Sequence, residues 1–142
     1  MLLIAGLMML LAGVAQERAV PIVQATDSPV RLDRATMLSA SEGPPILVYA
    51  ATNLTNDSLE QFTVMAFVFR ADGTLKARQV APARRTLEAH ETKYSTMVLD
   101  GSPLEAGDSI IVGVNQAQRV NSDTWWRADL QPAAEARVRT KP

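Results

Sequence analysis

The sequence contains no cysteine, one histidine and few aromatic residues, which make up 5% of its 142 positions. Without a thiol the chain cannot form a disulfide, a thiolate metal site or a cysteine nucleophile. A single imidazole cannot supply the nitrogen and sulfur ligands of an ordinary zinc site. We therefore expect neither a metal nor a cofactor.

The sequence also lacks an excess of charge of either sign. It has 14 basic and 15 acidic residues, so its formal net charge is −1. A near-neutral chain gains little by releasing counterions from a phosphate backbone, and none of its seven glycines lies in a phosphate-binding loop pattern. The hydrophobic content of 47% is ordinary for one folded domain. These features argue against a nucleic-acid partner and against a disordered chain.

Residues 1–15 differ from the rest of the chain because they carry no charge. Their apolar run of 13 residues, 2–14, is too short to cross a hydrocarbon core, which takes about 20 helical residues. Gly13 and Ala15 fit the small-residue pattern of a signal-peptide cleavage site. We predict a signal peptide over residues 1–15, a periplasmic or extracellular protein, and no transmembrane span in the mature chain. Because no positive charge precedes the run, a retained anchor and a buried core helix stay open as alternatives.

The rest of the chain shows a hydrophobic period of two, which is typical of β-strands. The strongest run is 62–69, FTVMAFVF, which is apolar on both alternating faces and predicts a central strand covered on both sides. Asp72-Gly73 follows this run and predicts a hairpin, since glycine adopts the positive φ that such turns require. Further strands are predicted at 20–25, 30–38, 46–54, 74–80, 92–99, 109–118 and 125–130, with a connector at 83–90 that has room for a helical turn.

Seven or eight short strands with turn residues between them predict an all-β fold, an antiparallel immunoglobulin-like β-sandwich. A small barrel is the alternative. The sandwich domain is predicted to span residues 16–130, after the signal peptide. Residues 131–142 form a C-terminal tail, which is either a short helix opened by Pro132 or loose chain.

Three segments occur in order within roughly residues 45–118. They are Asn53-Leu54-Thr55-Asn56 at a strand end, Phe67-Val68-Phe69-Arg70-Ala71-Asp72-Gly73 at a hairpin, and Thr86-Leu87-Glu88-Ala89-His90-Glu91-Thr92 before a strand. In these segments the chain resembles the FxLYD-type family of small extracytoplasmic immunoglobulin-like modules. It departs from that pattern at Ala89-His90, where Pro-Gly is expected. The resemblance implies a secreted or surface-facing module without enzymatic activity and without catalytic residues.

Catalytic chemistry has few candidates in this sequence. His90 is the one imidazole for a Ser-His-Asp arrangement, which would need Ser95 or Ser102 as nucleophile and Asp100 or Asp108 as the orienting carboxylate. No G-x-S-x-G elbow is present, and most of the aspartates lie in turns, where they cap their own backbone. We predict that the protein is not an enzyme. An envelope enzyme whose site the sequence pattern does not reveal is the last of three hypotheses, after the two binding functions given below.

Two metal hypotheses compete with simpler explanations. Copper(I) favours thioether ligands such as Met37, Met65 and Met97, but methionine in an apolar strand ordinarily fills core space. Asp100 and Asp108 bracket a stretch rich in oxygen ligands, but their spacing matches no defined calcium loop. Core packing and turn chemistry explain these residues better.

Trp125 and Trp126 are the first candidates for a contact with a partner or ligand. Adjacent strand residues point to opposite faces, so one indole is expected to enter the core and the other to point outward. An outward tryptophan is favoured at binding surfaces, where it contacts a protein or stacks on a sugar. The alternative is that both indoles have a structural role.

A local excess of basic residues is the second candidate. Alternation along the 74–80 strand places Lys76 and Arg78 on one face, opposite Leu75, Ala77 and Gln79, as in a protected edge strand. Arg84 and Arg85 follow in the connector. This positive surface would suit an acidic partner or lipid head groups, and a solvated edge is the alternative.

The sequence therefore predicts an exported, non-enzymatic immunoglobulin-like module of the cell envelope with a protein-binding or structural role. The expected partner is an envelope protein or a glycan. The alternative function is a carbohydrate- or small-ligand-binding domain that uses an exposed tryptophan.

Overall fold

The structure is a computed structural model that describes residues 16–140, so the predicted signal peptide lies outside the described residues. The described chain forms nine strands and one helix. The strands are β1 (Gln16–Ala19), β2 (Val30–Ser39), β3 (Ile46–Asn53), β4 (Leu59–Phe69), β5 (Leu75–Val80), β6 (Arg84–Leu87), β7 (Thr92–Val98), β8 (Ser109–Arg119) and β9 (Thr124–Trp126), and the helix is α1 (Leu130–Arg139).

The strands form two sheets, and all their pairings are antiparallel. The sheet that we name the β3 sheet has the order β1-β2-β3-β7. The β4 sheet has the order β5-β4-β8-β9, and β6 pairs with β4 beyond the end of β5. The inner faces of both sheets contribute to one hydrophobic core, so the fold is an all-β sandwich, as the sequence predicts.

The chain changes sheets soon after β1. The Val20 N–H donates to the Ala35 carbonyl in the β3 sheet (2.9 Å), whereas the Val23 N–H donates to the Val112 carbonyl in the β4 sheet (2.9 Å). Pro21 has no N–H and cannot continue a regular ladder. The predicted strand at 20–25 is therefore wrong: this segment is a crossing between the sheets.

The predicted central strand is confirmed, since β4 lies between other strands and is buried on both faces. Phe62 and Val64 point into the core between the sheets. Phe67 and Phe69 point to the opposite face, where they form a second apolar cluster with Ile111. All three phenylalanines of the chain lie in this strand, and each is almost fully buried.

Helix α1 covers this second cluster. Leu130, Ala134 and Val138 recur every four residues and pack on the outer face of the β4 sheet. Gly113 makes the close approach possible, because a Cβ at that position would lie 2.5 Å from Leu130 Cδ1 and 3.1 Å from the Val23 carbonyl oxygen. Of the two alternatives for the predicted tail, the structure has the helix, which begins at Leu130 and replaces the end of the strand predicted at 125–130.

The hairpin at Asp72-Gly73 joins β4 to β5 as predicted. Gly73 has φ of +86°, and the Asp72 carboxylate accepts the Thr74 N–H at 3.0 Å. The register of the hairpin shifts at a bulge between Val68 and Phe69. The shift therefore changes which residues of β5 share a face.

The connector predicted at 83–90 contains strand β6 rather than a helical turn. Its end is held by Asn53, which is fully buried. The Asn53 Nδ2 donates to the carbonyls of Asp57 (2.8 Å), Leu87 (3.0 Å) and Glu88 (3.1 Å), and its Oδ1 accepts from Thr55. One amide therefore fastens the β3–β4 loop to the β6–β7 loop.

Candidate functional site

The outer face of the β3 sheet carries an apolar surface that no helix of residues 16–140 covers. Tyr94 of β7 is 68% exposed, and Val98 and Ile46 are exposed further along the same face. Register pairs explain the grouping, since Tyr94 lies opposite Ala50 and Val98 lies opposite Ile46. We call this surface, with Val48 and Thr96, the Tyr94 face.

A shallow cavity of about 250 Å³ extends the Tyr94 face towards β2 and β1. Thr36, Leu38 and Val48 line it, together with the charged residues Arg34 and Glu17. The lining is therefore largely apolar with one charge of each sign, a composition that suits a protein surface better than a small anion or cation.

β7 is an edge strand, because it pairs with β3 and with no other strand of the described chain. The Asn53 N–H donates to the Glu91 carbonyl at 3.0 Å. At the other end, the Leu99 N–H donates to the Pro45 carbonyl at 2.9 Å. Hydrogen-bonded pairs alternate along an antiparallel ladder, so the even-numbered residues from 92 to 98 direct their backbone N–H and C=O groups away from the sheet.

A cleft of about 380 Å³, which we call the lateral cleft, opens beside this edge. Tyr94, Ser95 and Thr96 form one wall, and the 82–84 segment that leads into β6 forms the other. Arg84 is the one charged residue among those that line the cleft. The open backbone of β7 therefore borders a space with a positive charge across it.

Tyr49 lies at the base of the lateral cleft, and its side chain is buried. Burial raises the pKa of the Tyr49 hydroxyl, while the nearby Ser95 hydroxyl and the positive charge of Arg84 act in the opposite direction. The Ser95 Oγ is itself buried and has no hydrogen bond of ordinary geometry within the described chain, although it approaches Tyr49. The Arg84 charge is therefore close enough to the base of the lateral cleft to act on the Tyr49 hydroxyl.

Side-chain hydrogen bonds join both ends of the β7 edge to neighbouring elements. The Gln79 amide donates to the Val98 carbonyl at 2.5 Å. The Lys93 ammonium donates to the Thr86 carbonyl at 2.6 Å and lies 3.3 Å from the Glu91 carboxylate. The middle of the strand, at Tyr94 and Thr96, has no such cap among the residues described.

The two tryptophans lie on β9, which is an edge strand of the other sheet. Trp125 is opposite Ala117, packs against the core, and donates from Nε1 to the Asp27 carboxylate at 3.1 Å. Trp126 is opposite Gln116 and is 65% exposed. The prediction that one indole enters the core and the other points outward is confirmed.

The predicted basic group is divided between different environments. Lys76 donates to the Asp108 carboxylate and to the Pro103 carbonyl, both at 2.7 Å, and the Lys76 and Asp108 side chains are only 10% and 5% exposed. Arg78 donates to the Gln131 side chain of α1 at 3.0 Å. Lys76 is thus a structural residue, and Arg78 contacts the covering helix.

The predicted alternation along β5 is wrong at its start. Leu75 packs in the cluster under α1, whereas Ala77 packs against the core between the sheets. Leu75 and Ala77 were predicted to share a face. The bulge in the pairing with β4 places them on opposite faces. This bulge also turns the Lys76 ammonium towards Asp108.

Arg84 and Arg85 are exposed, and neither makes an ion pair within residues 16–140. Arg84 is opposite Phe62 in the register, so it lies on the core-facing side of β6 at the sheet edge. Arg85 is opposite Gln61. Of the six predicted contact residues, only Arg84 lines the lateral cleft.

The residues weighed for catalysis are separated in the described structure. His90 is a turn residue with φ of +60°, and its Nε2 lies 2.8 Å from Asn56 Oδ1. The Asp108 carboxylate is occupied by Lys76 and by the Glu105 N–H at 2.9 Å. No group of three or more His, Asp or Glu side chains in the described range is arranged to hold a metal ion.

Sequence reasoning missed Tyr94 and Thr96 as site residues. The available signal was composition: the outward positions of β7 are Thr92, Tyr94, Thr96 and Val98, which include no charge. A solvent-facing strand surface usually carries charged residues. The signal was incomplete, because the pairing that makes β7 an edge joins segments distant in sequence.

No helix within the described range is both long and apolar enough to cross a membrane. Comparison of the chain with protein-family models, with curated proteins and with solved structures finds no match.

Proposed function

We propose that this protein is an exported, non-enzymatic immunoglobulin-like module of the cell envelope that binds another protein through the Tyr94 face. The observation that carries the proposal is the contrast between an uncovered apolar face on the β3 sheet and a helix-covered face on the β4 sheet. An exposed apolar patch that includes a large aromatic residue and has charged residues nearby is typical of a protein-binding surface.

The strand order supports the immunoglobulin-like part of the proposal. If β2, β3 and β7 correspond to strands A, B and E, then β4, β8 and β9 correspond to C, F and G, with β5 as an added strand beside C. The sequence resemblance to FxLYD-type extracytoplasmic modules is in line with this assignment. The turn at Glu88-Ala89-His90-Glu91 has the positive φ at His90 that a glycine would supply in that family's pattern.

The export part of the proposal rests on the sequence of residues 1–15, whose short apolar run ends in small residues. The absence of cysteine suits an oxidising compartment, where a free thiol is a liability. A fusion of residues 1–20 to a periplasmic reporter tests this directly. Reporter activity with cleavage after Ala15 is expected, and a reporter retained in the cytoplasm would contradict export.

The binding function is tested with residues 16–142 as bait in envelope extract, together with Tyr94→Ala. Tyr94 is exposed, so its removal should leave the fold intact while it removes the most exposed large side chain of the patch. We expect a saturable partner that untagged protein displaces and that the variant retains at least about tenfold more weakly.

Trp126→Ala is the matched control, because Trp126 is equally exposed but lies on the other sheet. Retention of the partner by Trp126→Ala and its loss by Tyr94→Ala would support the Tyr94 face. The reverse pattern would assign binding to β9 and overturn the proposal. Tryptophan fluorescence of the Tyr94 variant verifies its fold.

A second candidate function is glycan binding at Trp126, which its 65% exposure favours. Indole faces stack on sugar rings, and the edge position on β9 leaves the ring accessible. Quenching of Trp126 fluorescence by soluble envelope glycans, absent in Trp126→Ala, would support this candidate.

A further inference from the structure

The β7 edge presents an unfinished hydrogen-bonding ladder next to the Tyr94 face. From Thr92 to Thr96, every second residue directs a backbone donor and acceptor outward, and no described segment pairs with them. Such a row is a template for an additional β-strand. An incoming strand would also contact Tyr94 and Thr96 side chains, which alternate onto the outer face.

Charge beside the edge specifies the kind of strand. Arg84 lies across the lateral cleft from Tyr94, and the adjacent Arg85 is exposed. The nearest described cation on β7 itself, Lys93, is already paired with Glu91. An incoming strand would therefore meet the unpaired positive charge of Arg84 on its cleft-facing side, which favours a carboxylate among the side chains that enter the cleft.

A second copy of this chain fits this edge poorly. A two-fold pairing of β7 with β7 would also bring the flanking 82–85 segments of both copies towards each other. Arg84 of one copy would then approach Arg84 of the other without an acidic residue in the cleft lining. Like charges brought together in this way oppose association.

On the basis of the proposed protein-binding function, we infer that the β7 edge binds an extended acidic segment of a partner protein as an additional strand. The backbone of Tyr94 and Thr96 supplies the ladder, and Arg84 selects carboxylates on the side chains that enter the lateral cleft. The Tyr94 face then packs against the alternate, apolar side chains of the same segment.

Amide hydrogen exchange of the 16–142 chain tests the inference. The probe is a peptide of about nine residues that alternates Glu with Thr or Val, and the control is the same peptide with Lys for Glu. The Tyr94 and Thr96 amides should gain protection with the Glu peptide, whereas the Lys93 and Ser95 amides, already bonded to β3, should not change. Protection at every second residue is a signature that side-chain binding alone does not give.

Two variants separate the ladder from the charge. Thr96→Pro removes an outward N–H without breaking a bond to β3, since proline is tolerated in edge strands at such positions. We expect it to weaken peptide binding at least about tenfold. Arg84→Glu leaves the strand untouched and should reverse the preference from the Glu peptide to the Lys peptide.

Equal binding of both peptides would overturn the acidic specificity, and no alternating protection at about 1 mM Glu peptide would overturn strand addition. Protection without peptide that rises with protein concentration would assign the edge to a second copy. If Tyr94→Ala loses its envelope partner while the alternating protection is absent, the proposed function stands and this inference fails. If alternating protection is observed but no envelope partner depends on Tyr94, strand addition stands and the proposed function of the Tyr94 face fails.

Discussion

The two outer faces of the sandwich differ in what covers them. On the β4 sheet, helix α1 buries Phe67, Phe69 and Ile111 almost completely. On the β3 sheet, Tyr94 remains 68% exposed, and Val98 and Ile46 are exposed on the same face. Each face carries aromatic and β-branched residues, but only one of them is part of the folded protein's own core.

This difference separates residues that stabilise the fold from residues available for binding. A buried phenylalanine contributes transfer free energy and close packing, whereas an exposed tyrosine contributes little to folding. Apolar residues that a fold leaves exposed without a structural benefit are candidates for an intermolecular contact. The comparison therefore gives the Tyr94 face its functional interpretation, and stability measurements can test it.

The largest expected effect on stability comes from replacing an aromatic residue with alanine on the covered face, compared with the same replacement on the exposed face. Phe69→Ala should lower the free energy of unfolding by about 3–5 kcal/mol, because it leaves a cavity beneath α1. Tyr94→Ala should change it by less than about 0.5 kcal/mol. Urea unfolding of both variants measures the difference, and a large loss for Tyr94→Ala would show that the exposed face has a structural role.

The second comparison uses two basic residues at the same side of the sandwich. Lys76→Gln should destabilise the protein by about 2 kcal/mol, because it leaves the buried Asp108 carboxylate without its charged partner. Arg84→Gln should be neutral within about 0.5 kcal/mol, because Arg84 is exposed and makes no described ion pair. Equal losses in urea unfolding would contradict the distinction between a structural and an available cation.

The same ion pair makes stability depend on pH. The hydrogen bond from Lys76 and that from the Glu105 N–H lower the pKa of Asp108 below its ordinary value of 3.8. The contribution of Asp108 is therefore complete above that value and is lost as the pH falls through the lower folded-state pKa. In Asp108→Asn, stability should fall less steeply on acidification, and Asp100→Asn on an exposed turn serves as the control.

The smallest expected effect concerns the turn that leads into β7. His90 has φ of +60°, which costs a side chain about 1 kcal/mol or more, and glycine avoids that cost. His90→Gly gives up the contact with Asn56 and increases the entropy of the unfolded chain, so the net gain should be about 0.5 kcal/mol. Thermal unfolding measures it, and a clear loss would mean that the His90–Asn56 contact holds the start of the edge.

Much of the fold was predictable from the sequence because its signals are local. The run at 62–69 is apolar on both faces, and that pattern predicts cover on both sides of β4 without knowledge of what supplies it. Asp72-Gly73 likewise carries its own turn chemistry. No local sequence pattern identifies α1 as the element that covers the outer face of β4, because the helix offers only Leu130, Ala134 and Val138 as apolar contacts.

The candidate site was less predictable, because its features depend on long-range pairing. Lys76 is indistinguishable from Arg84 as a basic strand residue until the bulge and Asp108, 32 residues later, are in place. Whether β7 is an edge strand depends on which strands pair with it. Its partner β3 is separated from it in the sequence by β4, β5 and β6. Residue type therefore predicts candidate contact residues, but the strand pairing is needed to tell which side chains lie at an open edge.

The position of α1 in the chain has a consequence for biogenesis. The helix that covers Phe67, Phe69 and Ile111 is made after all nine described strands. During synthesis, strands that pair before the helix has been made therefore expose that apolar face. A variant truncated before Leu130 would keep the face uncovered and would be prone to aggregate.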